Sequence, residues 1–191
     1  MRKRMDFLEL AKKRCSCRKY DKRRIEREKI ELCIEAARQA PSACNSQPWH
    51  YRIVDDPGLL EKTAAAAAGG IYRISRFIET APMLIAVLAD KGSFISKTGS
   101  FVRNTDFYLL DIGISAEHLV LQAAELGIGT CYIGWFNEKK VKKVLNIPGK
   151  YTVPLLISAG YPAERHRETD TLGRKAKSHT RRPSEEIVTF N

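Results

Sequence analysis

Residues 106–135 read DFYLLDIGISAEHLVLQAAELGIGTCYIGW. Between 106 and 126 the stretch is apolar at Leu109, Leu110, Ile112, Ile114, Ala116, Leu119, Val120, Leu121, Ala123 and Ala124. Wound at 3.6 residues per turn, these positions cover almost the whole circumference of a helix. A helix of that kind is either central to a domain or covered by another chain. Gly127, Gly129 and Gly134 then bracket the run Thr130-Cys131-Tyr132-Ile133, which reads as a strand. Gly127 suits a helix C-cap, whereas Gly134 is placed where a flat ligand could approach the backbone.

Working outward, a short helix is predicted over 6–14. A firmer one starts at 26, with Ile30, Cys33, Ile34 and Ala37 at amphipathic spacing and Pro41 beyond its end. Residues 51–54 read as a strand closed by Asp55-Asp56-Pro57-Gly58, and 59–68 as a helix stopped by Gly69-Gly70. The continuous apolar run 83–88 predicts a strand buried on both faces. Residues 91–103, rich in Gly, Ser and Lys with Phe94 and Phe101, read as a mobile loop that covers something. A helix over 137–145, a strand over 153–157 and an extended segment over 186–190 complete the chain. The sum is one α+β domain over 1–191, in three layers, with a mixed central sheet flanked by helices. No GxGxxG follows the first strand and no GxxxxGK[ST] occurs, which argues against a Rossmann or P-loop nucleotide site.

The formal net charge of +11 invites a nucleic-acid reading. Its distribution does not support one. Residues 1–29 hold 13 basic and 5 acidic residues, 30–161 hold 13 and 12, and 162–191 hold 7 and 5. The body is nearly neutral and the termini are cationic. The N-terminus has no apolar stretch after its charges, and no apolar run is long enough to span a membrane. Five cysteines without a paired CxxC, and four scattered histidines, form no zinc pattern. Reduced thiols and a cytoplasmic location are expected.

Two further segments carry chemistry. In Arg14-Cys15-Ser16-Cys17-Arg18, an extended backbone puts Arg14, Ser16 and Arg18 on one side, a set suited to a phosphate or an electron-rich ring edge. A solvated basic segment would look the same. In Ala40-Pro41-Ser42-Ala43-Cys44-Asn45-Ser46-Gln47-Pro48-Trp49, two prolines stiffen a loop that carries Ser, Asn and Gln, with Trp49 as its apolar anchor. A proline-stiffened helix terminator is the simpler reading, although it leaves the polar spacing unexplained.

Taken in order along nearly the whole chain, R-x-S-x-R, A-P-S-x-x-N-x-Q-P-W, the apolar helix, L-G-I-G-T-C-Y-I-G and the basic tail resemble the FMN-dependent nitroreductase family. The resemblance implies an intertwined homodimer with FMN at the subunit interface. Arg14, Ser16 and Arg18 would grip the flavin phosphate, ribityl chain and pyrimidine edge. Pro41, Ser42, Asn45 and Gln47 would come from the other subunit. The Ile133-Gly134 backbone would lie against the ring, and Arg181 would reach the phosphate, with Arg182 and Lys177 as competitors. The tail 178–191 would pack on the partner, and loop 91–103 would border the active site. No side chain is expected to act as catalytic acid, base or nucleophile, and no metal is expected, because the flavin carries the redox chemistry. The implied activity takes electrons from NADH or NADPH and reduces a small electron-poor acceptor, a nitroaromatic or quinone, by a ping-pong mechanism. Dehydrogenation, dehalogenation or flavin breakdown on the same fold is the alternative, and a basic nucleic-acid-binding module a weaker one. Cys44 departs from the smaller residue the family often has there. Cys15 and Cys17 flank the cofactor residues, and the basic run 19–29 exceeds what a flavin needs.

Overall fold

The run that begins at Met83 becomes the middle of the molecule. In the computed structural model, which describes residues 6–90, 105–163 and 181–190, the strands are β1 (Trp49–Val54), β2 (Met83–Asp90), β3 (Gly129–Ile133) and β4 (Tyr151–Gly160). They form one sheet in the order β1-β2-β4-β3, and every neighbouring pair is antiparallel. Among the described residues, the parallel component of the expected mixed sheet is confined to a single bridge, Ser16 with Thr130, outside the four-strand ladder. The helices are α1 (Phe7–Lys13), α2 (Arg27–Arg38), α3 (Pro57–Ala68), α4 (Phe107–Glu125) and α5 (Glu138–Val144).

Alternation along β2 sorts the core into two halves. Met83, Ile85, Val87 and Ala89 face the layer built by α2 and α4, while Leu84, Ala86 and Leu88 face α3, α5 and the 3-10 segment Gly70–Thr80. β4 repeats the pattern with a break. Leu155, Ile157 and Ala159 join the first half and Leu156 the second, yet Val153 also joins the second. The register explains it: Val87 pairs with Leu155 and Ala89 with Thr152, so β4 holds one extra residue there. That bulge contains Pro154, whose missing N–H a regular central strand could not accommodate.

α4 buries Ile112, Ser115, Ala116, Leu119, Val120, Ala123 and Ala124 against α2 and the sheet. Its other side leaves Leu109, Leu110 and Ile114 exposed, at 41%, 56% and 40%. The apolar circumference is therefore half used within the chain. α3 starts at Pro57 with the Asp56 carboxylate accepting from Leu59 N–H at 2.8 Å, and Gly70, at φ 66°, turns the chain after it. At the C-terminus the extended reading of 186–190 does not hold within one chain. Ser184–Glu186 is a 3-10 turn and 187–190 form no strand. Residues 181–190 are exposed throughout and hydrogen-bond to no sheet edge of their own chain. The loop 91–103, with Phe94 and Phe101, and Lys177 lie outside the described residues.

Candidate active site

α1 ends at Arg14, where the backbone leaves the helical region at φ −59°, ψ 123°. The chain then runs beside the start of β3: Ser16 bridges Thr130, and Cys17 N–H donates to the Thr130 carbonyl at 2.8 Å. The contact is close because residue 129 is glycine. A Cβ there would lie 2.8 Å from both Cβ and Sγ of Cys17 and 2.9 Å from Pro162. Cys17 is thus packed inward, 1% exposed, and burial pushes its thiol up to about 11. Ser16 is exposed, and Arg14 and Arg18 are half-buried. Arg14 borders a small cleft with Gly127 and Gly129, and Arg18 borders a different one. The two arginines therefore do not share one depression in the isolated chain. None of the five cysteines forms a disulfide.

The cleft beside Arg18, about 180 Å³ in volume, lies at the end of β3. Ile133 is buried, but Gly134 is exposed, and a Cβ on it would meet nothing within 4 Å. The opposite wall comes from the 3-10 segment, through Ile74, Ser75 and Phe77, with the Arg18 guanidinium 5.8 Å from the centre of the Phe77 ring. Two hydrogen bonds tie the walls together. Ser75 hydroxyl donates to the Trp135 carbonyl at 2.7 Å, and Trp135 Nε1–H donates to the Ile71 carbonyl at 3.2 Å. Tyr72 packs on Trp135 with ring centres 5.2 Å apart. Beneath the cleft, Tyr132 hydroxyl donates to Glu117 at 2.9 Å, and burial, then the nearby carboxylate, raises its pKa above the ordinary tyrosine value. Residues 71–80 did not figure in the sequence reading. The spacing of Ile71, Ile74 and Ile78 is the signal that marks them.

The loop after α2 is held in an unusual shape. Cys44, Asn45 and Gln47 all have left-handed φ, at 53°, 52° and 44°. Such values are ordinary for Asn and cost about 1–2 kcal/mol elsewhere. Hydrogen bonds within the loop and to α4 hold the shape. Gln47 N–H donates to Ser42 Oγ at 2.9 Å, and Gln47 Nε2 to Asn45 Oδ1 at 3.1 Å. Ala43 N–H donates to Asp111 Oδ1 at 3.0 Å, and Ser46 hydroxyl to Asp111 Oδ2 at 3.4 Å. Trp49 is buried as expected of an anchor. Pro41, Asn45 and Gln47 are exposed, and Ser42 is half-buried. None of them borders the Arg18 cleft. Asp111 escaped the sequence reading, although an acidic residue inside an apolar helix was a visible signal.

Part of the basic run has a structural partner. Tyr161, just past β4, donates its hydroxyl to Glu26 and accepts from Lys29 Nζ at 2.6 Å, while the Arg23 guanidinium lies 3.5 Å from its ring centre. The Tyr161 hydrogen bond above all, with help from Lys29, holds the Glu26 carboxyl at about 2. Arg181 and Arg182 are exposed on the tail and border neither cleft described above.

An α+β sheet protein with an open backbone position at a strand end, an arginine beside it and a polar loop held apart from both defines a class of small-ligand sites. Residues 11–161 match the profile of the Nitroreductase family, and the chain belongs to that family. A protein of Archaeoglobus fulgidus bearing the provisional name NADH dehydrogenase/NAD(P)H nitroreductase is 32% identical over 163 residues, covering 83% of this chain and 87% of that protein. The structure of an FMN-dependent nitroreductase from Clostridium difficile R20291 superposes with a TM-score of 0.73 at 28% identity, over 97% of this chain and 99% of that one. An iodotyrosine deiodinase of Thermotoga neapolitana is 24% identical over 174 residues, 81% of this chain and 87% of its own. Among the described residues no helix is long and apolar enough to cross a membrane, and no group of three or more His, Cys, Asp or Glu is placed to hold a metal.

Proposed function

We propose that this protein is an FMN-dependent oxidoreductase that works as a homodimer, takes electrons from NADH or NADPH and delivers them to a small electron-poor acceptor. The observation that carries the reading is the open Gly134 backbone at the end of β3, facing a cleft walled by Arg18 and Phe77. The residues fit the cofactor. A flat ring can lie against backbone that has no side chain in the way, and a guanidinium suits an electron-rich ring edge. Ile133 and Gly134 would support the ring, and Arg18 would hold negative charge at its pyrimidine edge. Arg14, Ser16 and Arg181 would hold the phosphate end. When bound, FMN supplies the redox chemistry, accepting a hydride from NAD(P)H and passing electrons to a nitroaromatic or quinone in separate half-reactions.

Two features support the dimer. Leu109, Leu110 and Ile114 form an apolar face on α4 that this chain leaves uncovered, and the loop of Pro41, Ser42, Asn45 and Gln47 stands apart from the Arg18 cleft, as a loop serving the partner's site would. The tail fits the same arrangement. Ile187, Val188 and Phe190 are exposed, while β1 is an open sheet edge beside an apolar groove of about 440 Å³ bordered by Ile25, Ile30, Ile34 and Ile53. The tail of one copy would cover that groove on the other.

The purified protein is expected to be yellow and to release FMN on denaturation. A colourless protein that cannot be reconstituted with FMN rejects the proposal. With NADH and NADPH tried separately against a quinone, double-reciprocal plots should be parallel, and intersecting lines rule out the ping-pong cycle. Reductive dehalogenation is the second reading, favoured by the likeness to the deiodinase, and turnover of a halotyrosine in preference to quinones would select it.

A further inference from the structure

Asp111 is the only buried charged side chain among the described residues, 5% exposed. No described cation forms an ion pair with it. A carboxylate buried without a cation is costly, and an apolar residue would serve the packing of α4 better. What Asp111 does instead is accept from two points of one loop: Ala43 N–H on Oδ1 and Ser46 hydroxyl on Oδ2. The two donors bracket Cys44 and Asn45, both left-handed. Released from this acceptor, Ala43 N–H would lose its partner and the loop would be free to relax to ordinary φ values. The exposed amides of Asn45 and Gln47 are carried on that strained stretch, so their direction depends on the buried carboxylate to which the loop is tied.

We propose that Asp111 is a positioning residue for the cofactor: from the buried face of α4 it locks the 42–47 loop in the shape that presents Ser42, Asn45 and Gln47 to the FMN held by the partner subunit. This rests on the proposed function and on the loop serving the other subunit's site. In this role Asp111 acts through the loop, by its bonds to Ala43 and Ser46. Its substitution therefore affects the site it does not share a chain with, and this separates positioning from a general loss of stability.

The test uses the full-length dimer and reads FMN affinity by flavin fluorescence. Asp111→Asn keeps an oxygen for Ala43 N–H and offers an N–H to the Ser46 oxygen, so its affinity should stay within about threefold of wild type. Asp111→Leu should fold, by circular dichroism, and bind FMN at least about tenfold more weakly. Mixed dimers of Asp111→Leu with Arg18→Ala contain one site with both defects and one with neither. One site of the two should regain wild-type affinity. A merely destabilised Asp111→Leu subunit would weaken both sites. If wild type itself binds no FMN, the underlying function is wrong. If wild type binds and Asp111→Leu binds equally well, or the mixed dimer regains no site, the role of Asp111 is overturned. Should Asp111→Leu fail to fold, Ser46→Ala takes its place, with an expected loosening of about threefold to tenfold and unchanged binding as the overturning result.

Discussion

Tyr161 shows how a charge run that looks like bare solvated surface acquires order. Its hydroxyl donates to Glu26 and accepts from Lys29, and Arg23 stacks on its ring. The segment 21–29 is thereby latched to the end of β4, next to the Asp21 N–H bond to the Tyr161 carbonyl at 2.8 Å. The Glu26 carboxyl is held at about 2 against an ordinary value of about 4.5. Because its folded pKa is depressed, the latch contributes stability above pH 4.5 and loses it as pH falls towards 2. Glu26 and Arg23 are exposed and Lys29 and Tyr161 only half-buried, so the effect belongs to the local latch rather than to global stability. In Tyr161→Phe the leading cause disappears, and the Glu26 midpoint should climb towards 4.5 without reaching it, since Lys29 remains 3.1 Å away. Carboxyl NMR titration of the two proteins checks this, and a midpoint still near 2 in the variant would rule the latch out. The residue scale also marks a limit of legibility. That Arg14 and Arg18 project from an extended segment followed from alternation, but that they border different clefts depends on where α1 and β3 sit, which no local pattern encodes.

Among elements, those buried on two sides were the most readable. β2 is apolar from Met83 to Ala89 because helices cover both its faces there, and the run 83–88 says so without help from any other segment. α2, one-sided, showed its face through Ile30, Cys33 and Ala37. The 3-10 segment Gly70–Thr80 was not read as an element, because it follows the Gly69-Gly70 stop without a polar spacer, and tertiary contacts with Trp135 decide its form. Strand order and the Pro154 bulge are equally non-local. The junction of the R-x-S-x-R segment with β3 is the element-scale contact on which the site depends most, and Gly129 controls it. Gly129→Ala drives a methyl group to 2.8 Å from the backbone-proximal atoms of Cys17, where no flexible side-chain end can give way. Overpacking of this kind costs about 1–3 kcal/mol. The variant should therefore melt several degrees below wild type and also bind FMN more weakly, since Ser16 and Arg18 are displaced with Cys17. A loss of melting temperature with unchanged FMN affinity would separate the junction from the site.

At the scale of the whole molecule, the Arg18 cleft and the loop of Ser42, Asn45 and Gln47 lie apart on one chain, and α4 leaves an apolar face uncovered. Leu109, Leu110 and Ile114 together would expose a continuous greasy stripe in a monomer, of the kind that monomeric proteins keep small. A dimer resolves both problems at once. In the proposed dimer the stripe would be buried, the loop tied to Asp111 would approach the Gly134 cleft of the other copy, and the exposed tail would have a sheet edge to join. Assembly and cofactor binding should then be one event. Leu110→Asp places a charge in the middle of the stripe, where burying it without a partner is prohibitive. Leu110 is 56% exposed in the single chain, so the substitution leaves the fold of the subunit intact. Sedimentation of the variant should give the monomer mass of about 21.6 kDa, and FMN should no longer remain bound through gel filtration, although every residue proposed to hold the cofactor is unchanged. A variant that stays dimeric would move the interface off α4. A monomer that holds FMN as tightly as wild type would mean that each chain completes its own site, and the loop of Ser42, Asn45 and Gln47 would need another role.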